Sequence, residues 1–494
     1  MSMAKIHISQ GRILRAESQK ASSGRLFSAP RNDAAWVCAL ALVALVTTFA
    51  SAQQLPTVPG SSVVSITPEP GYFTEPAIAI NAKDPQQVVA VFQDNAHAAY
   101  STDAGRHWQL ANGVESTKYR VSGDVSVAFD PKGHAIICYM AFDKLGTYNY
   151  WGHNSSRNGL YIRRSLDGGK TWEANDIAII EHSNDEQKIP WEDKPYIVAD
   201  NSSGPHSGNL YVGWTRWTLE DSEILFSRST DGGLTWSKPM EIDKHRGLPR
   251  DDNGAVEGFD GVVAPDGTLY VVWNGGDRIV LTTSHDGGQS FDEPRNIIQT
   301  APIMFKVQDV ARANGFPQIG FAPSGKSGKL YVTWSDYRNG DVDVFCATSD
   351  DGGRSWSSAT RVNDDTPHNG ADQFFQWLAV DPITGHIYVL FYDRRGSQNN
   401  REQSVTLACS TDGGHTFKNY AWTNETFVAT EAFLGDYTGV AALNDRVYGI
   451  WTWKPKPPPA PPTPAGATQE ARAAEARRAR ATLVQVGAAD FSVK

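Results

Sequence analysis

Six copies of one short pattern, Ser-x-Asp-x-Gly-x-(Thr/Ser/His)-(Trp/Phe), run through this chain of 494 residues. They centre on Asp103, Asp167, Asp231, Asp286, Asp351 and Asp412, which are 64, 64, 55, 65 and 61 residues apart. Self-similarity at that period marks an array or ring of like units, each too small to bury a core alone. The pattern itself reads as a hairpin turn: Asp accepts hydrogen bonds from turn amides, Gly supplies a positive φ, and the aromatic packs beside it. Six near-identical copies are a folding device, because a reacting centre needs unlike groups converging on one spot.

Short apolar runs recur around each copy, as at 195–200, 209–214, 223–229 and 236–242. Four strands per period with Gly-rich turns make an all-β chain, a β-propeller of four-stranded blades. Inner strands are expected at 76–81, 125–129, 195–200, 261–264, 317–322, 376–381 and 438–443, which counts seven blades; six is the competing count. The seventh unit lacks the repeated motif and a fourth strand, and residues 62–67 are expected to supply that strand and close the ring. Residues 454–481 form a Pro-rich, then Ala/Arg-rich, insert or tail.

The first 52 residues read as a secretory signal: a basic region, an uncharged run at 36–49, then Ala50-Ser51-Ala52. Fourteen helical residues span roughly 21 Å, short of the ~30 Å hydrocarbon core of a bilayer. The expected mature chain, 53–494, is a secreted or periplasmic bacterial protein and a monomer, free of the membrane. It carries 39 basic and 53 acidic side chains, a balance that argues against nucleic acid and anionic membranes as partners. Cys138, Cys346 and Cys409 sit in apolar strand patterns and are expected to be buried thiols. No His, Cys or Asp spacing suggests a metal site, and no cofactor is expected.

These motifs, so spaced between Glu75 and about Trp453, resemble the BNR/Asp-box repeats of the bacterial sialidase superfamily. The resemblance implies an exo-α-sialidase-like glycoside hydrolase. In that family three Arg hold the sialate carboxylate, a Tyr–Glu pair supplies the nucleophile, and an Asp is the acid/base. The first Arg belongs to an Arg-Ile-Pro motif ahead of the first box; here that stretch reads Gly71-Tyr72-Phe73-Thr74-Glu75-Pro76-Ala77.

Strand direction alternates within a blade, so the repeated hairpins share one face. The connections between second and third strands, and those leading into inner strands, share the other. The second face surrounds the axial channel and is the place to look for a site. Arg216, Arg278, Arg338, Arg394 and Arg395 occupy comparable positions there. Planar guanidinium forks converging on the channel would hold an anionic sugar. The other arrangement open to them is ion pairing with neighbours such as Asp277, Asp336 and Asp393.

Carboxylates precede the inner strands: Glu75, Asp124, Glu192 with Asp193, Glu257 with Asp260, Asp372 and Asp436. Glycoside hydrolysis needs one protonated carboxyl and a second attacking or activating group. The order Glu257, Arg278, Arg338, then Tyr392 or Tyr437, follows the family's order loosely. The resemblance therefore assigns Tyr437 as nucleophile, with Glu257, and Asp193 or Asp124 as acid. Tyr392, and Trp151 in the aromatic-rich stretch 143–159, are expected to touch the sugar; a second long loop spans 182–191. Two other functions fit the same sequence, a non-catalytic propeller that binds glycan or protein, and a lyase for acidic polysaccharides.

Overall fold

The computed structural model describes residues 54–183, 188–252, 254–304, 306–323, 328–456 and 468–493. The expected signal segment and most of the Pro-rich stretch lie outside the described residues. Seven four-stranded antiparallel sheets form a propeller, settling the count between six and seven blades. Blade 1 starts with the inner strand Thr74–Ile80, blade 2 with Val121–Phe129, blade 3 with Trp191–Ala199 and blade 4 with Val256–Val263. Blades 5, 6 and 7 start with Gln318–Ala322, Gln373–Val380 and Gly439–Leu443. Successive inner strands touch around the axis, and the last of them returns to the first.

The ring closes by combining the two ends of the described chain. Blade 7 takes Gly439–Leu443, Arg446–Trp453 and Leu483–Asp490 from one end and Ser62–Ser65 from the other. Val63 pairs with Gly487 and Val64 with Val486, so the outermost strand comes from the N-terminal side as expected. One helix, α1 (Gln469–Arg480), is carried between the second and third strands of this blade.

Each repeated motif is the turn between third and fourth strands, and its hydrogen bonds repeat with it. In the sixth copy the Ser410 hydroxyl donates to Asp412 Oδ1 at 2.8 Å, and the Gly414 amide donates to Ser410 Oγ at 3.0 Å. The Thr416 amide and hydroxyl donate to the two oxygens of Asp412 at 3.0 and 2.6 Å. Gly414 has φ 85°, which a side chain would make costly. Partial burial opposes it, but the hydrogen bonds from Thr416 and Ser410 pull the Asp412 carboxyl down to about 2.

A second repeated device sits in the second strands. Trp214, Trp273, Trp334 and Trp451 end Leu/Val-Tyr-x-x-Trp runs and are wholly buried between blades. Each removes some 150–250 Å² from water, worth roughly 4 kcal/mol or more as an upper bound. Each indole N–H then needs an acceptor, and each finds one: Glu192, Asp243, Asp336 and Gln485, at 2.6, 2.7, 2.9 and 3.0 Å.

The inner strands start earlier than their apolar runs, because a β-bulge interrupts the alternation. Pairing slips between Thr74 and Ala77, Gly123 and Ser126, Asp193 and Tyr196, Glu257 and Asp260, and Phe374 and Trp377. At the bulge Glu75, Asp124, Lys194, Gly258 and Phe375 have φ of 50°, 46°, 48°, 78° and 52°. Four of the five are not glycine, at a cost of about 1–2 kcal/mol each.

Replacing Asp412 by Ala removes the acceptors of one turn while leaving the strands intact. The expected loss is about 1–3 kcal/mol, read as a lower urea midpoint with an unchanged slope. Because the folded carboxyl titrates below its unfolded value, the stabilisation is present above about pH 4 and fades as pH falls through about 2. The difference between wild type and Asp412→Ala should shrink in that window.

Candidate functional site

The bulges aim side chains of neighbouring blades at one place. Glu75, Asp124, Asp193, Glu257 and Asp436 all line a cavity of about 420 Å³ on the face away from the repeated hairpins. Its walls are aromatic: Tyr72 ahead of blade 1, Tyr148 and Trp151 from the 143–157 connection of blade 2, Trp191, and Phe433 from the connection into blade 7. A flat, partly apolar wall over a polar floor is the general form of a small-molecule site.

Arg312, on the connection into blade 5, is the cation of that floor. Its guanidinium takes both oxygens of Asp436, the Nε contact being 3.0 Å, and Nη1 donates to Asp251 Oδ2 at 3.1 Å. Glu75 Oε1 lies 3.8 Å from Nη2. The rings of Trp151 and Phe433 lie 5.2 and 4.9 Å from the guanidinium carbon. Trp151 also donates its N–H to Asp251 at 3.3 Å, and Tyr148 donates to the Ala311 carbonyl at 3.1 Å. The blade 2 loop thus reaches across to the connections into blades 4 and 5 rather than packing only on itself. The 182–191 loop lies partly outside the described residues.

Six carboxyls, counting the buried Asp251, surround Arg312 and Lys194. The Lys194 ammonium sits 3.9 Å from the ring centre of Tyr437 and 4.5 Å from that of Phe316. Two cations cannot balance six clustered anions, five of them buried, so protons must make up the difference. Burial, then Asp124 and Asp436, push the Glu75 carboxyl well above the usual range, against the pull of Arg312. Burial and Asp124 do the same to Asp193, and burial, Asp251 and Asp193 to Glu257. Asp436, raised by burial but held by Arg312, titrates at about 6. Glu75 and Asp193 each share a hydrogen bond with Asp124, and Glu257 shares one with Asp251. The cavity therefore holds both protonated and ionised carboxyls near neutral pH.

Gln93 sets this arrangement in place. Its amide N–H donates to Glu75 and its carbonyl accepts the Asp124 amide at 2.7 Å. Trp217 donates to Asp193 at 2.9 Å, and the Lys194 amide donates to Asp124 at 3.1 Å.

The five arginines read from the sequence do not meet, and none lines the cavity. Arg216 is bound to Glu192 and Arg338 to Asp336, the same carboxylates that accept the indole N–H of Trp214 and Trp334. Arg278 lies 3.3 Å from Asp277. Arg394 is fully buried, donating to the carbonyls of Asn400 and Gln308 and to Gln403. Arg395 is held by Asp393, Asp364 and Asn419. Their recurrence serves the blades: a guanidinium neutralises an acid that a buried Trp or a strand edge requires. The expectation of converging forks is corrected accordingly.

Two aromatic assignments also change. Tyr392 follows Phe391, which occupies the Trp position of blade 6; it is wholly buried and donates to the Thr452 carbonyl at 2.5 Å. Tyr437 packs on Trp377 beneath Lys194, outside the cavity lining. Burial, then Glu75, Asp124, Asp436 and Asp193, push its phenol well above the usual range. That environment keeps the phenol neutral, the opposite of what a nucleophile needs. Asp124, Asp193, Glu257 and Trp151 are brought together at the cavity.

Arg312 and Asp251 escaped the sequence reading. Both lie on inter-blade connections with no counterpart in other units, so no repeat position pointed to them. The length of those connections, residues 300–317 before blade 5 and 242–255 before blade 4, was the available signal. Among the described residues no group of His, Cys, Asp or Glu is arranged to hold a metal ion. No helix among them is long and apolar enough to cross a membrane.

Replacing Arg312 by Met should destabilise the protein by about 3–5 kcal/mol at pH 7.5, since it leaves Asp436 and Asp251 buried without a counter-charge. At pH 5, below the value near 6 at which Asp436 titrates, that carboxyl takes up a proton and much of the loss should disappear. Urea unfolding at the two pH values measures the difference.

A scan against protein-family models gives no match, and a search of curated proteins gives none. Solved structures with a similar fold include a leech intramolecular trans-sialidase complexed with 2,7-anhydro-Neu5Ac, 14% identical, TM-score 0.46, covering 72% of this chain and 68% of that one. They also include an α-L-arabinofuranosidase from Fusarium graminearum, 14% identical, TM-score 0.46, covering 75% of this chain and 93% of that one. A polysaccharide lyase acting on ulvan is 12% identical, TM-score 0.46, covering 78% and 93%. The strand order of the chain itself, rather than these distant likenesses, establishes the propeller.

Proposed function

We propose that this chain is an exported, glycan-acting propeller that hydrolyses glycosidic bonds of neutral sugars by paired carboxyls. The observation that carries the reading is the cavity floor, where Glu75, its carboxyl pushed well above the usual range by burial and acidic neighbours, lies beside Asp436, which is raised to about 6. Both meet the Nη2 atom of Arg312. A glycosidase needs this division, one carboxyl to protonate the leaving oxygen and one carboxylate to attack the sugar or activate water. Glu75 is the acid and Asp436 the base or nucleophile. Asp124 is hydrogen-bonded to Glu75 and Asp193, and Glu257 completes the floor beside Asp251. Trp151 and Tyr148 offer faces for a sugar ring. The basic region and Ala50-Ser51-Ala52 support export, and the six hairpins support kinship with Asp-box propellers.

The charge of the floor favours a neutral sugar over the anionic one that the arginine pattern suggested. A ligand carboxylate some 5 Å from one ionised side chain would lose about 3 kcal/mol at an effective dielectric constant of 20. Arg312 is already engaged by Asp436 and Asp251.

The test is hydrolysis of a panel of 4-nitrophenyl pentosides, hexosides and sialosides. Turnover is expected for a neutral glycoside, with kcat rising through pH 6 as Asp436 ionises and falling at higher pH as Glu75 loses its proton. Glu75→Gln and Asp436→Asn should each lower kcat by roughly 10²–10⁴-fold. Cleavage confined to sialosides would restore the anionic reading. Binding of neutral glycans without release of product would leave a lectin-like propeller.

A further inference from the structure

The connections between second and third strands are very unequal in length. They hold 3 residues in blade 1, 15 in blade 2 and 29 in blade 7. Gln93, Asp94 and Asn95, at the short connection of blade 1, form an edge of the central cavity. On the blade 7 side that cavity adjoins a second lobe of about 650 Å³. The two share Tyr72, Thr74, Ala311 and Phe433 as common wall. The lobe is completed by Thr430 and Glu431 and by Arg480, the last residue of α1.

The helix end is fixed to the first blade rather than hanging over it. Thr482 and Gly71 exchange backbone hydrogen bonds at 2.7 and 2.9 Å, and the Thr482 hydroxyl donates to the Phe73 carbonyl at 2.8 Å. Arg480 and Tyr72 therefore stand on either end of one short bridge. Tyr72 is 43% exposed and Arg480 is exposed. A ring face beside a planar fork of donors suits a sugar, which presents an apolar face and vicinal hydroxyls.

We propose that this second lobe is a subsite for the sugar on the leaving-group side of the scissile bond, so that the protein acts on oligosaccharides that reach from the central cavity past Tyr72 and Phe433. In this arrangement Tyr72 stacks on that sugar and Arg480 binds its hydroxyls. The proposal rests on the hydrolase reading above for the position of the bond, and the insert of blade 7 becomes the element that reads the leaving group.

Arg480→Ala tests it, since the residue is exposed and outside the carboxyl floor. With neutral oligosaccharides of three to six units the variant is expected to show KM raised about tenfold and kcat/KM lowered to match. Kinetics on the 4-nitrophenyl glycoside of the same sugar should be unchanged, and Arg480→Lys should recover part of the loss. Equal kinetics of wild type and Arg480→Ala on the oligosaccharides would overturn the subsite and leave the hydrolase reading standing. If no glycoside of either kind is cleaved, the hydrolase reading fails, and calorimetric binding of the same oligosaccharides decides the lobe. Affinity that climbs from one unit to three in wild type, and does not in Arg480→Ala, supports it. Affinity that ignores chain length, or no binding, overturns it.

Discussion

The site depends on one backbone irregularity repeated around a ring. A regular inner strand alternates its side chains between the two faces of a blade, and a ring of such strands would bury every second residue between blades. The bulge at five inner strands breaks that alternation at the same depth. Glu75, Asp124 and Lys194 adopt a positive φ there, which an L-residue accepts only when its surroundings compensate. Hydrogen bonds from Gln93 to Glu75, from the Asp124 amide to Gln93, and from the Lys194 amide to Asp124 are part of that compensation. The strain and the proposed site occupy the same residues.

Charge is then handled by sharing rather than by pairing. Six carboxyls around Arg312 and Lys194, five of them buried, exceed the positive charge available, and burial with like charge pushes Glu75, Asp193 and Glu257 toward their neutral forms. Replacing such a cluster with apolar residues would be neutral or favourable for stability. Its presence at a cavity floor, under aromatic walls, is what the proposed chemistry rests on. The arginines at the strand edges make the contrast clear: Arg216 and Arg338 each meet a single acid and complete the hydrogen bonding of a buried indole.

Much of the architecture was legible because it is written locally. The Ser, Asp and Gly of each hairpin satisfy one another within a few residues, so Ser410, Asp412 and Gly414 announce a turn without tertiary help. The carboxylates were legible as charged residues ahead of apolar runs, though Glu75, Asp124, Asp193 and Glu257 lie inside the strands, past bulges that interrupt the two-residue period. The arginine pattern misled because residues two to five positions beyond a Trp recur wherever the Trp does, whatever the channel contains. Arg312 belongs to no repeat, and its role arises only when blades 1, 4 and 7 bring Glu75, Asp251 and Asp436 to it.

The mixed seventh blade has a consequence for how the molecule is made. Ser62–Ser65 finds its partner only in Leu483–Asp490, more than four hundred residues later. A chain growing from its N-terminus can assemble six sheets in order, yet the ring stays an open arc until Leu483–Asp490 has been made. Until then the two outer faces of that arc expose apolar strands with no neighbour, a hazard for pairing with other chains. Passage across a membrane before folding would postpone every blade together, and the strand Leu483–Asp490 would act as the latch.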